Sequence, residues 1–185
     1  ETLAQNYADQ PVSLLEQRVS KLDGTRKLLY ALRDGNCVEG VLMHYHHGYT
    51  LCLSTQVGCR MGCAFCASTL NGCVRSLSAA EMLGQVHCAN RLIADDHISN
   101  IVLMGSGEPL DNYDNVTRFL RLVSHPDGLN IGLRHISLST CGLVPQMKRF
   151  AREGLPVTLS LSLHAPNDTI RRQLMPVANA FAMED

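Results

Sequence analysis

Three cysteines lie within one short stretch of the chain, GCRMGCAFCAS: Cys59, Cys63 and Cys66. Closely spaced thiolates are typical ligands of soft metals and of iron–sulfur clusters. A [4Fe–4S] cluster normally takes four thiolates, so a CxxxCxxC loop would leave one iron without a protein ligand. That open iron can bind a small chelating ligand and pass it an electron.

A structural zinc ion is the alternative for this loop. Zinc takes four tetrahedral ligands, which usually come from two paired motifs. The sequence has one close CxxC and no second one downstream, so Cys52 or Cys73 would have to complete a zinc site. The cysteine spacing alone leaves both metal centres open.

A second candidate site follows the apolar run NIVLMG, in the stretch MGSGEPLDN at 104–112. Gly105 and Gly107 suggest a phosphate-binding loop, but Leu110 occupies the place of the last glycine and Glu108 would repel phosphate. A carboxylate at a glycine-opened strand end suits an ammonium group instead. Glu108 is therefore a candidate ligand for an amine, with a helix-capping role as the alternative.

Composition limits the kind of protein that carries these residues. The length of 185 residues suits one domain or a piece of a larger one, and a hydrophobic fraction of 45% is typical of globular proteins. A formal net charge of -1 gives no electrostatic argument for nucleic acid or an anionic membrane. The sequence shows no signal peptide and no apolar run long enough for a membrane span. Eight cysteines without a secretion signal predict a reducing cytoplasm.

Alternating strands and helices must position the candidate residues. From about residue 49, four strand–helix units follow one another, which predicts parallel strands with right-handed crossovers. The strand patterns are TLCLSTQV, NIVLMG, RHISLST and VTLSLSLH; the helix patterns are SAAEMLGQVHCANRLIA, DNVTRFLRLV, VPQMKRFARE and NDTIRRQL. Ahead of them, residues 1–28 look helical, and two apolar runs broken by Asp34-Gly35 predict a β-hairpin.

The two faces of the strands favour a barrel over an open sheet. In VTLSLSLH, Leu159 and Leu161 point one way while Ser160, Ser162 and His164 point the other. TLCLSTQV has a similar polar face: Thr50, Cys52, Ser54 and Gln56. A central strand of an open doubly wound sheet should be apolar on both faces, whereas a polar face suits a barrel wall that lines a cavity. Four units cannot close a barrel, so we interpret the chain as part of one.

These features together resemble a known family. CxxxCxxC after the first strand of a βα barrel is similar to the signature of radical S-adenosylmethionine (SAM) enzymes, and GSGEP resembles their GGEP motif. The resemblance implies a [4Fe–4S] cluster on Cys59, Cys63 and Cys66, whose open iron chelates the amino and carboxylate groups of SAM. The reduced cluster then splits SAM into methionine and a 5′-deoxyadenosyl radical. The resemblance also implies that Glu108 holds the methionine amino group of SAM.

Four stretches in order narrow the resemblance: CLSTQVGCRMGCAFCAS, MGSGEPLDNYDNV, STCGLVP and SLSLHAPNDTIRRQLMPV. From about residue 26 onward, the chain is similar to the adenine-2-methyltransferases of 23S ribosomal RNA and tRNA, close relatives of the carbon-8 rRNA methyltransferases. The resemblance implies a truncated radical SAM barrel at 49–185. It places a β-hairpin extension at 26–48 and the end of an N-terminal accessory domain at 1–25. It further implies RNA as substrate and an electron donor such as flavodoxin.

The same resemblance implies roles for individual residues. Phe65 would lie near the adenine of SAM. The residues implied to bind SAM are Gly107, Glu108, Ser139, Ser162, Leu163 and His164. Glu39 is similar to the proton-accepting carboxylate of the family. Cys52 is similar to the thiol that helps to release the methylated base and ends in a disulfide with a second cysteine.

The chain departs from the family in what it lacks. The methyl-carrying cysteine of the family lies in a C-terminal segment, and the remaining cysteines have no matching context: Cys37, Cys73, Cys88 and Cys141. We therefore expect that this chain does not methylate RNA by itself. The stretch RRQ at 171–173 is expected to touch phosphate or to lie on a solvated face. Two alternatives remain: a radical SAM enzyme with another substrate, and a non-catalytic metal-binding module that combines Cys52 with the loop cysteines.

Overall fold

A computed structural model describes residues 10–93 and 96–185, which form one seven-stranded and one two-stranded sheet with four α-helices. The strands are β1 (Val12–Val19), β2 (Arg26–Leu32), β3 (Cys37–Tyr45), β4 (Gly48–Cys52), β5 (Gln56–Gly58), β6 (Cys73–Ser76), β7 (Ile98–Leu103), β8 (Ile136–Thr140) and β9 (Thr158–Leu161). The helices are α1 (Ala79–Asn90), α2 (Tyr113–Val123), α3 (Val144–Ala151) and α4 (Asp168–Leu174). None of the helices in the described ranges combines the length and the apolar character that a membrane crossing requires.

The large sheet joins an antiparallel part to a parallel part. Its strand order is β1-β2-β3-β4-β7-β8-β9, with antiparallel pairing from β1 to β4 and parallel pairing from β4 to β9. A helix follows each of the four parallel strands, which confirms the predicted βα units of a partial barrel. The carboxyl ends of the parallel strands therefore meet at one edge, where barrel enzymes carry their active sites.

The predicted β-hairpin is present. β2 and β3 pair in antiparallel register around the turn at Asp34 and Gly35. The strands β5 and β6 form a separate two-stranded sheet, and the cysteine loop connects them. The proposed domain boundaries after residues 25 and 48 stay predictions, because one continuous sheet runs across both positions.

The helix predicted over residues 1–28 is wrong where the structure describes it. Val12–Val19 forms β1 and pairs with β2, and residues 1–9 lie outside the described ranges. The leucines and valines at helical spacing do not form a buried stripe, since Leu15 and Val19 are exposed. Pairing with a neighbouring strand outweighs a weak local helix pattern.

The core lies between one face of the large sheet and helices α1 and α2. The predicted apolar stripes of both helix patterns are buried there: Met82, Val86, Ala89, Ile93, Val116, Phe119, Leu120 and Val123. They share one cluster with sheet residues such as Leu28, Leu51 and Ile101. α1 begins with a capping box, in which the Glu81 amide donates to Ser78 Oγ at 3.2 Å and the Ser78 amide donates to the Glu81 carboxylate at 2.8 Å.

The opposite face of the parallel strands is polar, as the alternation predicts. In register across β4, β7, β8 and β9 it carries Thr50, Cys52, Asn100, Ser137, Ser139, Thr158 and Ser160. Ser54 and Gln56 do not continue this face, because β4 ends at Cys52. Both are buried instead: Ser54 Oγ donates to the Glu39 carbonyl at 2.7 Å, and the Gln56 amide group donates to the Asp111 carboxylate at 2.8 Å. These hydrogen bonds hold the segment after β4 in place.

Candidate active site at the cysteine loop

The cysteine loop connects β5 to β6. Cys59 and Cys63 are buried in it, and Cys66 is partly exposed. The Cys59 amide donates to the Gly72 carbonyl at 3.0 Å, which closes the base of the loop. Thr69 Oγ1 donates to the Cys66 carbonyl at 2.9 Å, which orders the distal turn. The chain's own hydrogen bonds therefore fix the path of the loop.

A segment distant in sequence supports the same loop. The Ala64 amide donates at 2.8 Å to the carbonyl of Leu174, at the end of α4. Cys63 packs with Met175 and Val177 in a small apolar cluster separate from the main core. The stretch LMPV after α4 is therefore a structural support for the cysteines.

The loop borders a cavity of about 330 Å³, here called the cysteine cavity. Its lining brings together most of the predicted cluster and SAM residues: Cys59, Cys63, Cys66, Gly107, Glu108, Ser139, Ser162 and His164. Leu163 is the exception, because its side chain lines an apolar cavity beside β9 together with Leu159 and Leu161. The fold thus places the cysteines and the polar SAM candidates around one space, and their roles as ligands stay predictions.

Glu108 presents a buried carboxylate to the cysteine cavity. Gly107 before it has a φ of 104°, and a Cβ there would lie 2.6 Å from the Gln56 Cβ, so glycine is required in this turn. The Glu108 amide donates to Gln56 Oε1 at 2.9 Å. Its carboxylate accepts the amides of Leu110 at 3.1 Å and Cys141 at 2.8 Å. These donors fix the carboxylate and leave further lone pairs for an ammonium group.

Two hydroxyls from neighbouring strands meet in the same cavity. Ser139 Oγ on β8 and Ser162 Oγ just after β9 lie 3.0 Å apart. The Ser162 amide donates to the Thr140 carbonyl at 2.8 Å, which extends the pairing of the two strands. His164 then adopts a φ of 54°, which is uncommon for a residue with a side chain. Its ring lies 4.6 Å from the Phe65 ring, centroid to centroid, and the two rings form one wall of the cavity.

Burial raises the pKa of three thiols in the cysteine cavity, those of Cys59, Cys63 and Cys141. It raises the pKa of Cys59 to about 11 and also raises the pKa of Cys63. Cys141 lines the same cavity, and burial together with the negative charge of Glu108 raises its pKa further. Metals bind the thiolate form, so metal binding in this cavity must be linked to proton release.

The donor set fits an iron–sulfur cluster better than a single ion. A structural zinc ion takes four protein ligands, whereas a [4Fe–4S] cluster held by three thiolates keeps one iron open. Cys52 and Cys73, which would complete a zinc site, do not line the cysteine cavity.

Glu39 and Cys52 lie on the polar face of the sheet, outside the lining of the cysteine cavity. Cys52 pairs with Val41 on β3, so its side chain and that of Glu39 face the same side. Lys27 Nζ lies 2.7 Å from Glu39 Oε1, and 54% of the Glu39 side chain is exposed. Burial raises the pKa of Cys52. The catalytic roles that the resemblance implies for both residues stay predictions.

Two residues of the site are not singled out by the sequence patterns. Cys141, interpreted as an ordinary thiol, lines the cavity and donates its amide to Glu108. Arg171, expected at phosphate or on a solvated face, is only 3% exposed, so that expectation is wrong. Its spacing to Leu174 and Met175 puts it on the apolar stripe of α4, and this pattern could have revealed its burial.

Comparison with known proteins decides the family. Residues 53–182 match the Radical SAM superfamily, a range that contains every residue of the cysteine-cavity lining. The chain belongs to the radical SAM superfamily.

Individual radical SAM relatives are also similar over the whole chain. The chain is 53% identical over 185 residues to the probable dual-specificity RNA methyltransferase RlmN of Clostridium novyi (strain NT), covering 100% of this chain and 54% of that protein. It is 56% identical over 183 residues to the protein of that name from Lachnoclostridium phytofermentans, covering 99% and 51%. The crystal structure of a radical SAM methyltransferase from Sphaerobacter thermophilus matches with a TM-score of 0.93 at 42% identity, covering 99% of this chain and 54% of that one. The chain thus spans about half the length of the relatives it matches.

Proposed function

We propose that this chain is the cluster-binding part of a radical SAM enzyme that methylates carbon 2 of an adenine in 23S rRNA and tRNA. The observation that carries this proposal is the cysteine cavity, which the three loop cysteines share with Glu108, Ser139 and Ser162. Relatives named dual-specificity RNA methyltransferase support RNA as the substrate. Because the chain spans about half of their length, the complete activity requires residues outside it.

The loop cysteines would hold a [4Fe–4S] cluster, with SAM admitted from the open side of the cavity. When bound, the cluster supplies the electron for the reductive cleavage of SAM. Glu108 accepts the ammonium group of SAM through the lone pairs that its two backbone donors leave free. This contact is strong because the carboxylate is buried, and a low local dielectric strengthens the attraction between opposite charges.

The other SAM candidates orient the rest of the ligand. The Ser139 and Ser162 hydroxyls can each donate to an oxygen of SAM. The rings of Phe65 and His164 offer a π surface against which adenine can stack. Leu163 contributes through its backbone, because its side chain lines the apolar cavity beside β9.

Glu39 and Cys52 would act on the methylated base. Carbon 2 of adenine and the methyl group of SAM are both electrophilic, so direct transfer fails and a protein–RNA link must form and break. In this proposal Glu39 accepts the proton that carbon 2 loses, and the Cys52 thiolate attacks the sulfur of the methyl-carrying cysteine. The bond between that sulfur and the new methyl carbon breaks, and the carbon takes up a proton as the base is released. Release leaves Cys52 in a disulfide with the methyl-carrying cysteine. No cysteine in a matching context is present in the chain, so we expect no methylation by the chain alone.

The proposal also implies the substrates of the enzyme, its compartment and its source of electrons. The substrates are 23S rRNA and tRNA, which places the reaction in the cytoplasm. Each turnover needs reducing electrons, which a small donor protein such as flavodoxin would deliver to the cluster. The net charge of -1 gives no electrostatic argument for RNA binding by this chain, so any RNA-binding energy that it contributes must come from local contacts.

Anaerobic reconstitution with iron and sulfide tests the proposal. We expect about four irons per chain and a cluster spectrum that changes when SAM is added. The Cys52→Ser variant should retain both features, because Cys52 does not line the cysteine cavity. One zinc ion per chain that requires Cys52 would contradict the proposal and favour a non-catalytic module. Mass spectrometry of RNA treated with the full-length enzyme then distinguishes methylation at carbon 2 from methylation at carbon 8.

A further inference from the structure

Arg171 is a buried cation whose charge its surroundings do not balance. It lies on α4 and is only 3% exposed. Its Nη2 donates to the Cys141 carbonyl at 2.6 Å, but its buried Nε has no partner within the described part of the chain. A guanidinium stays ionised in proteins, and burying it without an anion is costly.

The carboxylates close to Arg171 in the fold are engaged elsewhere. No acidic side chain in residues 10–93 and 96–185 forms an ion pair with it. Glu108 shares Cys141 with Arg171 as a hydrogen-bond partner but accepts the Cys141 amide. Asp168, on the same helix, accepts the Met183 amide at 2.9 Å. Asp185, which lines the apolar cavity beside β9 together with Arg171, accepts the Ala182 amide at 2.7 Å. The balancing charge must therefore come from another source.

The cysteine loop is the source that lies against Arg171. The Arg171 carbonyl accepts the Met175 amide at 2.8 Å, and Met175 packs in one cluster with Cys63 and Cys141. Cys141, whose carbonyl accepts from Arg171, lines the cysteine cavity itself. Gly142 allows the close approach, since its φ is 105° and a Cβ there would lie 3.1 Å from Arg171 Nη2.

We propose that Arg171 balances the negative charge of the loop thiolates and their cluster, and thereby raises the potential at which the cluster is reduced. This inference rests on the proposed function, because it requires the cluster. An iron–sulfur core held by three thiolates is anionic, and its negative charge grows on reduction. A fixed cation in a low-dielectric wall therefore favours the reduced state. Arg171 acts through its charge and makes no contact with the reacting atoms.

Three variants of the full polypeptide that carries these residues test the proposal: Arg171→Gln, Arg171→Lys and Arg172→Gln. Glutamine removes the charge, lysine keeps it without the planar fork, and the exposed Arg172 is the matched control. Each protein is reconstituted anaerobically, its iron and sulfide are counted, and its midpoint potential is titrated by electron paramagnetic resonance. We expect a more negative midpoint for Arg171→Gln, and midpoints near the wild-type value for the other two.

A wild-type midpoint in an Arg171→Gln protein with full cluster content would overturn the inference. So would a lysine variant whose midpoint falls as far as that of the glutamine variant. If Arg171→Gln assembles no cluster, assembly of Arg171→Lys at the wild-type midpoint supports the charge role. Failure of both variants to assemble a cluster refutes that role and leaves Arg171 only a structural part in the Cys141 turn.

The two proposals fail in different ways. If SAM affinity falls while the midpoint is unchanged, Arg171 acts through Glu108, and the charge proposal is overturned. If the wild-type protein itself forms no [4Fe–4S] cluster, the proposed function is refuted before any variant is compared.

Discussion

The two cavities beside β9 differ in how far the chain completes them. In the cysteine cavity, the polar groups hold one another: Glu108 accepts the Cys141 amide at 2.8 Å, and the Ser139 and Ser162 hydroxyls lie 3.0 Å apart. The apolar cavity on the other side, about 290 Å³, leaves Leu161 46% exposed. Exposed leucines of this kind lose the stabilisation of burial, about 2 kcal/mol for each side chain.

The contrast indicates that the two sides of β9 have different tasks. The side of β9 that faces the cysteine cavity is ordered by hydrogen bonds within the described residues. The side that carries the leucines faces α3 and residues 181–185 across the apolar cavity, and the leucines stay partly exposed there. We therefore expect cluster and SAM binding to depend on one side of the strand, and cohesion with further parts of the protein to depend on the other.

The largest expected effect comes from removing a loop cysteine. Cys63→Ala should abolish cluster assembly, because two thiolates cannot hold a cluster that three hold with one iron already open. Iron and sulfide per chain, with the absorption spectrum, measure this loss. Leu161→Ala and the buried but remote Cys88→Ala should both keep the wild-type iron content. A Cys63→Ala protein that still holds a full cluster would contradict the assignment of cluster binding to the cysteine cavity.

The charge of Glu108 should have the next largest effect. We expect Glu108→Gln to weaken SAM binding by about 10- to 100-fold, since a hydrogen bond to a charged group contributes about 1.5–3 kcal/mol. Calorimetric titration of the reconstituted protein with SAM measures the change. Glu153→Gln is the control, because Glu153 pairs with Arg121 at 2.6 Å and does not line the cysteine cavity. Equal affinities for both variants would remove Glu108 from the SAM site.

Alanine substitutions at two leucines of the parallel sheet test the same comparison through the free energy of unfolding. Leu138 is fully buried at 0% exposure, so Leu138→Ala should lower the free energy of unfolding by about 2–5 kcal/mol. Leu161→Ala should cost less than about 1 kcal/mol, because nearly half of that side chain is already in water. Urea denaturation of the two variants measures both values. Similar losses would mean that the leucine face of β9 is covered in solution.

A smaller effect than that of Leu138→Ala is expected at the capping box of α1, remote from both cavities. Burial acts to raise the pKa of Glu81, but hydrogen bonds from Arg75 and Ser78 outweigh it and hold that pKa below its usual value. Glu81→Gln should therefore cost about 1 kcal/mol at neutral pH.

The sign of the pH dependence follows from the lowered pKa. The contribution of Glu81 is present above the pKa of the unfolded chain and is lost as the pH falls through the folded pKa. The stability gap between wild type and Glu81→Gln should accordingly close on acidification. Urea midpoints measured from neutral to acidic pH test this, and a gap that widens in acid would reverse the assigned sign.

The parallel part of the fold was predictable because its patterns are local. Strand alternation and helix stripes repeat over many residues, and the capping box at Ser78 and Glu81 marks a helix start directly. β1 was not predictable in this way, because its outer residues are exposed and its conformation depends on pairing with β2. An edge strand whose residues are mostly exposed carries little periodic information of its own.

The candidate site likewise contains residues that local sequence patterns predict and residues that only the fold brings together. The loop cysteines are neighbours in sequence, so their spacing predicts a shared centre that the cysteine cavity accommodates. Cys141 and Arg171 come from distant segments, and only the fold brings them to the Glu108 carboxylate and the loop. Leu163 belongs to a sequence motif, but its side chain lines the apolar cavity instead of the cysteine cavity. Its place in the motif does not reveal this orientation.

The attachment of the cysteine loop to the segment after α4 has a consequence for biosynthesis. Ala64 bonds to the Leu174 carbonyl, and Cys63 packs on Met175 and Val177. On the ribosome the cysteines emerge well before Val177 does, so the loop reaches its final shape only after the segment that follows α4 has been made. Loading of the proposed cluster should therefore follow synthesis of this segment, and a nascent chain that stalls before α4 leaves its thiols open to oxidation.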